Sequence, residues 1–414
     1  MWLRFIFFAG AIFYCLTIFS QENLGEQYIQ QINGKLDLAK KQIDTDLSNP
    51  SKSGDPQTWY LAGYIYAEIS KSEVYAALCD NPANTALKAI QKCIKLDTEG
   101  KYFSDCLNVL FQIGNVFYDK AIKAYNKGIK NNSVYDFQNA LDNFKLLFET
   151  IETMGDDNNM INHLLKYNNI NPLSLKIYAG YCAQKNGDIQ LAKDYYNELI
   201  DMESPVSIAK TKGLPLAYIY MSDLYLAENN VNMAKQIADR GVHVFPENND
   251  MLITAINLYF QSQDYDKLAE ILEVAKVSDS EDIKLLVLMA GAYNKLYKSY
   301  NAKGYESTAN AYLKKAIETY DRVIAIEKTD KELLFKVNYN CGLLYYNPGV
   351  KLYIKHDESN KEEWTDLFTK AEKYLSEAHR LKPEDTKLTN VLMKIYQCLN
   401  QTDKAKELEE ELYK

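Results

Sequence analysis

Apolar residues recur along this chain at helical spacing, and small residues recur among them at fixed offsets. From Leu24 to Leu47, Tyr28, Ile32, Leu36, Ala39 and Ile43 fall on one stripe, which predicts a lead-in helix. Ser48-Asn49-Pro50 through Gly54-Asp55-Pro56 then reads as a loop. Beyond it the pattern becomes a series of helix pairs with a period of about 34 residues, clearest over residues 173–205. There Gly180, Ala192 and Tyr196 stand at positions 8, 20 and 24 of the period. Ala234 and Pro246 keep positions 20 and 32 of a later pair, as do Ala371 and Pro383. Small residues at positions 8 and 20 let two antiparallel helices approach closely, and bulky ones at 4, 11 and 24 fill the space around that contact. The pattern predicts an all-α chain of stacked antiparallel helix pairs, each burying its apolar face on its neighbours.

The pairs differ in length. The first opens at Pro56, a good first helical residue because its missing N–H would have had no partner. It carries Trp59, Gly63 and Tyr66 at positions 4, 8 and 11, then Ala86 and Ile90 at 20 and 24, with eleven residues more than the standard spacing. The second covers about 103–152, with Phe117, Ala140 and Phe144, and is fourteen residues over. Pairs three to five, over about 173–282, have standard length, although Leu268 stands where the pattern wants a small residue. Pairs six and seven, over about 283–385, are expanded by fourteen and seventeen residues and carry Tyr293, Ala316, Tyr320, Gly342 and Tyr345. A last pair over 386–414 holds Tyr396 and Ala405, and its Glu407, Glu409, Glu410 and Glu411 suit a polar cap on an open end. Two readings of the expansions stay open: walls projecting near both ends, or drift in exposed loops, which tolerate insertion cheaply.

These positions resemble the tetratricopeptide (TPR) repeat. The resemblance implies an α-solenoid with a right-handed superhelix and a concave face lined by first-helix positions 2, 5, 9, 12 and 13. Carried onto this chain, the implied partner groove includes Tyr60, Tyr64, Phe111, Asn115, Tyr118 and Tyr181, then Asp223, Asn257, Phe260, Asn294, Tyr339, Tyr346 and Asn347. Tyr and Asn together suit an extended peptide or a helix, since Asn bonds backbone amides while rings pack side chains; plain inter-repeat core is the other reading of each ring. The Lys-plus-Asn clamp by which chaperone-binding TPR domains hold a carboxylate is missing, because Phe111 and Ile253 stand at position 5 before Asn115 and Asn257. The segments 55–63 and 340–347 also resemble exported TPR proteins of Bacteroidetes-type bacteria, which implies a periplasmic location.

The N-terminus bears on the same point. Arg4 precedes an apolar run from Phe5 to Phe19 that ends at Ser20-Gln21-Glu22, the layout of a cleaved signal peptide over 1–20. A retained anchor or a lipidated Cys15 are the alternatives; the run is short of the roughly 20 residues that span a bilayer. Net charge is −9, and −10 without the first twenty residues. An acidic chain with no dense basic stripe argues against nucleic acid, whose binding is supplied by phosphate neutralisation. Six cysteines follow the leader; they read as small buried hydrophobes, with Cys93 and Cys106 the one pair placed to bond.

His163, His243, His356 and His379 are scattered, and no phosphate loop, nucleophile elbow or zinc motif occurs, so no catalytic, cofactor or metal site is expected. The expectation is a non-catalytic periplasmic scaffold binding a protein or peptide in a cell-envelope, secretion or outer-membrane assembly, with peripheral outer-membrane association through that partner. The alternative is a soluble carrier for unfolded outer-membrane clients.

Overall fold

A computed structural model describes residues 24–31, 34–201, 214–274, 281–355 and 358–412. The expected signal peptide lies outside these residues, as does His356. Every regular element among them is helical, and the chain divides into two compact units, Met1–Met202 and Glu203–Lys414.

In the first unit the lead-in is two helices, α1 (Leu24–Gln31) and α2 (Leu36–Ser48), rather than the single one expected. Gly34 takes a φ of +70° and donates its N–H to the Ile29 carbonyl, a left-handed stop that glycine adopts without a Cβ penalty. Then come α3 (Pro56–Lys71), α4 (Pro82–Leu96), α5 (Phe103–Asn131), α6 (Val134–Thr153), α7 (Asn158–Tyr167), α8 (Pro172–Lys185) and α9 (Ile189–Ile200). Helices α3/α4, α5/α6 and α8/α9 pack as antiparallel pairs. Asp55 caps α3 and Asn171 caps α8, each accepting a backbone N–H of the first turn, with Pro56 and Pro172 in the first turn where no donor is needed.

The second unit holds α10 (Leu214–Ala227), α11 (Val231–Val244), α12 (Asn249–Gln261), α13 (Tyr265–Val274), α14 (Ile283–Ala302), α15 (Glu306–Ile326), α16 (Lys331–Tyr353), α17 (Lys361–Leu381), α18 (Thr386–Cys398) and α19 (Thr402–Leu412), again paired in order. One turn recurs between partners. Gly187, Asn229, Gln263, Gly304 and Asn400 all have φ between 56° and 82°. In each case the next residue's N–H reaches back to the first helix, as Asp188 to Ala183 and Gln401 to Tyr396.

The expected small–large contact is present in both units. A Cβ added at Gly63 would lie 2.4 Å from Ile90, at Gly180 2.5 Å from Tyr196, and at Gly342 2.5 Å from Leu375. Each contact joins position 8 to position 24 of one pair. Ala86, Ala140, Ala192, Ala234, Leu268, Ala316 and Ala371, all at position 20, are fully buried. In the fourth pair Ser222 replaces glycine at position 8 and donates its hydroxyl to the Ala234 carbonyl at 3.1 Å, which satisfies the buried oxygen. The chain is an all-α, TPR-like stack of helix pairs. Pairs two, six and seven are expanded as longer helices, 29 residues in α5 and 23 in α16; pair one is expanded as a connection containing a short 3₁₀ turn.

Candidate functional site

In the first unit the expected groove positions of pair one, and Phe111 and Asn115 of pair two, are packed against other parts of the chain. Tyr60 is fully buried and stacks on Tyr102 at 6.0 Å between ring centroids. Tyr64 is 4% exposed, and α1 lies on it: a Cβ added at Gly25 would stand 2.4 Å from its ring. Burial, then Glu68 and Glu26, push its phenol well above the ordinary value. The expectation that these two tyrosines line an open groove is therefore corrected: Tyr102 packs on Tyr60, and the lead-in helix covers Tyr64.

Pair two is covered in the same manner by α7. Phe111 meets His163 at 4.7 Å and Tyr167 at 5.7 Å, both edge-on. Asn115 accepts a hydrogen bond from the Asn168 amide. Leu164, fully buried, sits where Gly114 leaves room. Thus Gly114, at position 8, faces α7 and not Phe144 of its own second helix. Residues 153–172 carried no repeat signal. What could have revealed the helix is Asp157, whose side chain accepts the Met160 N–H, followed at helical distance by Leu164-Leu165.

Farther along α5 the surface stays partly open. Tyr118 is half-buried, and burial raises its pKa, with the neighbouring Tyr178 adding to the shift. Tyr181 is half-buried against Tyr125 at 6.1 Å and Phe137 at 5.8 Å, and the Lys185 ammonium stands 5.1 Å over its ring. Tyr125 and Tyr178 approach to 4.9 Å, so these rings form one cluster between α5, α6 and α8.

In the second unit Asp223 and Asn347 are exposed, and Asn257, Phe260 and Asn294 are half-buried. Lys295 lies 5.8 Å over Phe260. Asn294 Oδ1 is buried with no hydrogen-bond partner among the described residues. Its neighbour Tyr320 is pushed up to about 12 chiefly by burial. Tyr339 stacks on Phe335 at 5.9 Å, and Tyr346 meets Phe368 at 5.9 Å; both pack on the core that holds α18 and α19. Those two rings are half in the core. The polar cap is partly engaged: Glu411 pairs with His379 at 3.2 Å.

Among the described residues no three or more His, Cys, Asp or Glu side chains gather as a metal site, and no helix is long and apolar enough to cross a membrane. No arrangement of nucleophile, base and orienting group is assembled by the residues named above; what they present is rings, amides and lysines.

No protein-family model and no curated protein matches this chain. Among solved structures, the C-terminal part of a TPR repeat-containing protein from Cytophaga hutchinsonii is 16% identical, with a TM-score of 0.38, over 69% of this chain and 98% of that one. A TPR repeats protein from Bacteroides fragilis is 19% identical, with a TM-score of 0.28, over 69% and 98%. YrrB, a TPR protein with an unusual peptide-binding site, is 15% identical, with a TM-score of 0.32, over 55% and 94%. At such scores the TPR-like reading rests on the position 8 to position 24 contacts, and the chain is one similar to these TPR-repeat structures.

Proposed function

We propose that this protein is a non-catalytic scaffold whose first-helix faces hold a protein or peptide partner. The observation that carries the reading is the docking of α1 on α3 and of α7 on α5, at the positions the TPR frame assigns to a partner. A face that takes two helices of its own chain has the chemistry to take a helix from elsewhere. Apolar rings bury side chains there, and Asn115 supplies a polar anchor to Asn168. Where the chain provides no such helix, half-buried Tyr118 and Tyr181 remain in the first unit, and Asn257, Phe260 and Asn294 in the second.

The apolar run at 5–19 supports export, and hence a periplasmic envelope or secretion assembly as the setting. The test is crosslinking of the tagged protein in its native cell, with mass spectrometry of the captured species. One dominant envelope partner, linked through the first-helix faces, is the expected result. A spread of unrelated outer-membrane clients would replace the scaffold by the carrier, and cytoplasmic partners alone would overturn the location.

A further inference from the structure

The expansion of pair two does more than lengthen it. Lys71 at the end of α3 donates to Gln112 at 3.0 Å, so α3 stops beside residue 112 of α5. Helix α5 continues to Asn131, nineteen residues or roughly 28 Å farther. There Asn132 takes a φ of +48° and Ser133 caps α6, making a two-residue turn. The turn seats the Phe137 ring on Gly128, where an added Cβ would lie 2.8 Å from it. That contact closes the hairpin core and turns the next apolar residues outward: Ile129 is 49% exposed, Val134 59% and Tyr135 77%.

The charge here runs against the rest of the chain. Residues 120–135 contain four lysines and no carboxylate, in a protein of net charge −9. Lys120, Lys123, Lys127 and Lys130 form one stripe along α5, and all four are exposed. Asp136, which follows, is buried and already paired with Lys127 at 3.0 Å. An apolar, aromatic point backed by lysines is therefore carried at the tip of this hairpin, just past the α8 rings that pack on Tyr125 and Phe137.

We propose that this hairpin tip docks on an anionic phospholipid surface, with Ile129, Val134 and Tyr135 entering the headgroup layer and the lysines facing the lipid phosphates. A convex tip of three side chains has no groove to grip a folded partner, and it falls short of the ~800 Å² per side of a stable protein interface. A bilayer surface needs neither, since it accepts small apolar wedges and rewards nearby lysines.

The test uses the full-length chain in vesicle flotation, with phosphatidylcholine alone and with phosphatidylcholine:phosphatidylglycerol at about 7:3. The chain is expected to float with the anionic vesicles and to be released by salt. Val134→Ser with Tyr135→Ser should lower binding by tenfold or more. Lys120→Gln with Lys123→Gln and Lys130→Gln should lower it about fivefold per lysine. Both variants alter exposed positions, and unchanged melting curves certify that they are folded. Binding to neither vesicle overturns the proposal, as does equal binding to both, which would point to residues 5–19. Variants that float like the parent overturn it, and so does retention of a protein ligand through the tip without vesicle binding.

Discussion

The Sγ atoms of Cys93 on α4 and Cys106 on α5 lie 3.5 Å apart, both fully buried, with the Cys106 thiol donating to Cys93. That hydrogen bond, reinforced by burial, drives the Cys106 pKa far above its ordinary value. The thiolate is the reactive form, so its suppression keeps Cys106 inert, and burial shields Cys93 from reagents while the helices stay packed. In native protein, maleimide should label half-buried Cys79 first and leave Cys93 and Cys106 unmodified. Denaturation should release all six described cysteines as free thiols, counted by intact mass. Native labelling of Cys106 as fast as Cys79 would mean that α4 and α5 part readily, and two missing thiols after denaturation would mean that the pair is bonded.

The close approach of α3 and α4 makes a second prediction. A side chain at Gly63 must displace Ile90, whose Cδ1 and Cγ1 lie 2.4 and 2.6 Å from the added Cβ, with the Ala86 carbonyl 3.4 Å behind. Overpacking a filled site costs about 1–3 kcal/mol, so Gly63→Val should lower the melting temperature by several degrees. Gly54→Val is the control, because nothing stands within 4 Å of its Cβ. Equal losses from the two variants would put the helix contact elsewhere.

These glycines also show how far the sequence can be read. Position 8 against position 24 is a contact between neighbouring helices, and local spacing alone predicted it at Gly63, Gly180 and Gly342. Gly114 has the same spacing, yet its neighbour is Leu164 of α7. Nothing in a repeat frame says that a helix from outside the period will come to rest on it. The candidate groove was legible to the same degree. Helical phase puts Tyr64 and Phe111 on the first-helix face, but whether that face is open depends on α1 and α7, short segments that carry no repeat. The break at Gly34 was missed for a related reason: Leu36, Ala39 and Ile43 keep the apolar phase that began at Tyr28, and only the left-handed φ ends α1.

Helix α7 is held by few groups, and that sets a third prediction. Leu164 is its fully buried anchor on Gly114, with Leu165 beside it and Asn168 bonded to Asn115. Leu→Ala at a filled site costs about 2–5 kcal/mol. Because α7 is short and peripheral, Leu164→Ala should free α7 locally before the unit unfolds. Hydrogen exchange over 158–168 should accelerate sharply while α5 and α6 keep their protection. If exchange rises equally through α5 and α6, α7 is part of the cooperative core and no partner could take its place cheaply.

The junction between pairs six and seven is tied by one carboxylate, which gives a pH prediction. Glu327 Oε1 accepts the N–H groups of Lys328, Thr329 and Asp330 at 2.9, 2.7 and 3.0 Å, and the Thr329 hydroxyl at 2.9 Å. The backbone bond from Asp330 leads in lowering its pKa from 4.5 to about 2, since all of these donors favour the charged form. A folded pKa below the unfolded one contributes stability that is complete above 4.5 and disappears as pH falls through about 2. Glu327→Gln should therefore be the less stable protein at neutral pH, with the gap to the parent closing between those two values. Carboxylate chemical shifts give the direct check: Glu327 should titrate near 2. A midpoint near 4.5 would mean that the carboxylate does not hold this turn, and that Asp330, which caps α16 through the Leu333 N–H, sets the junction alone.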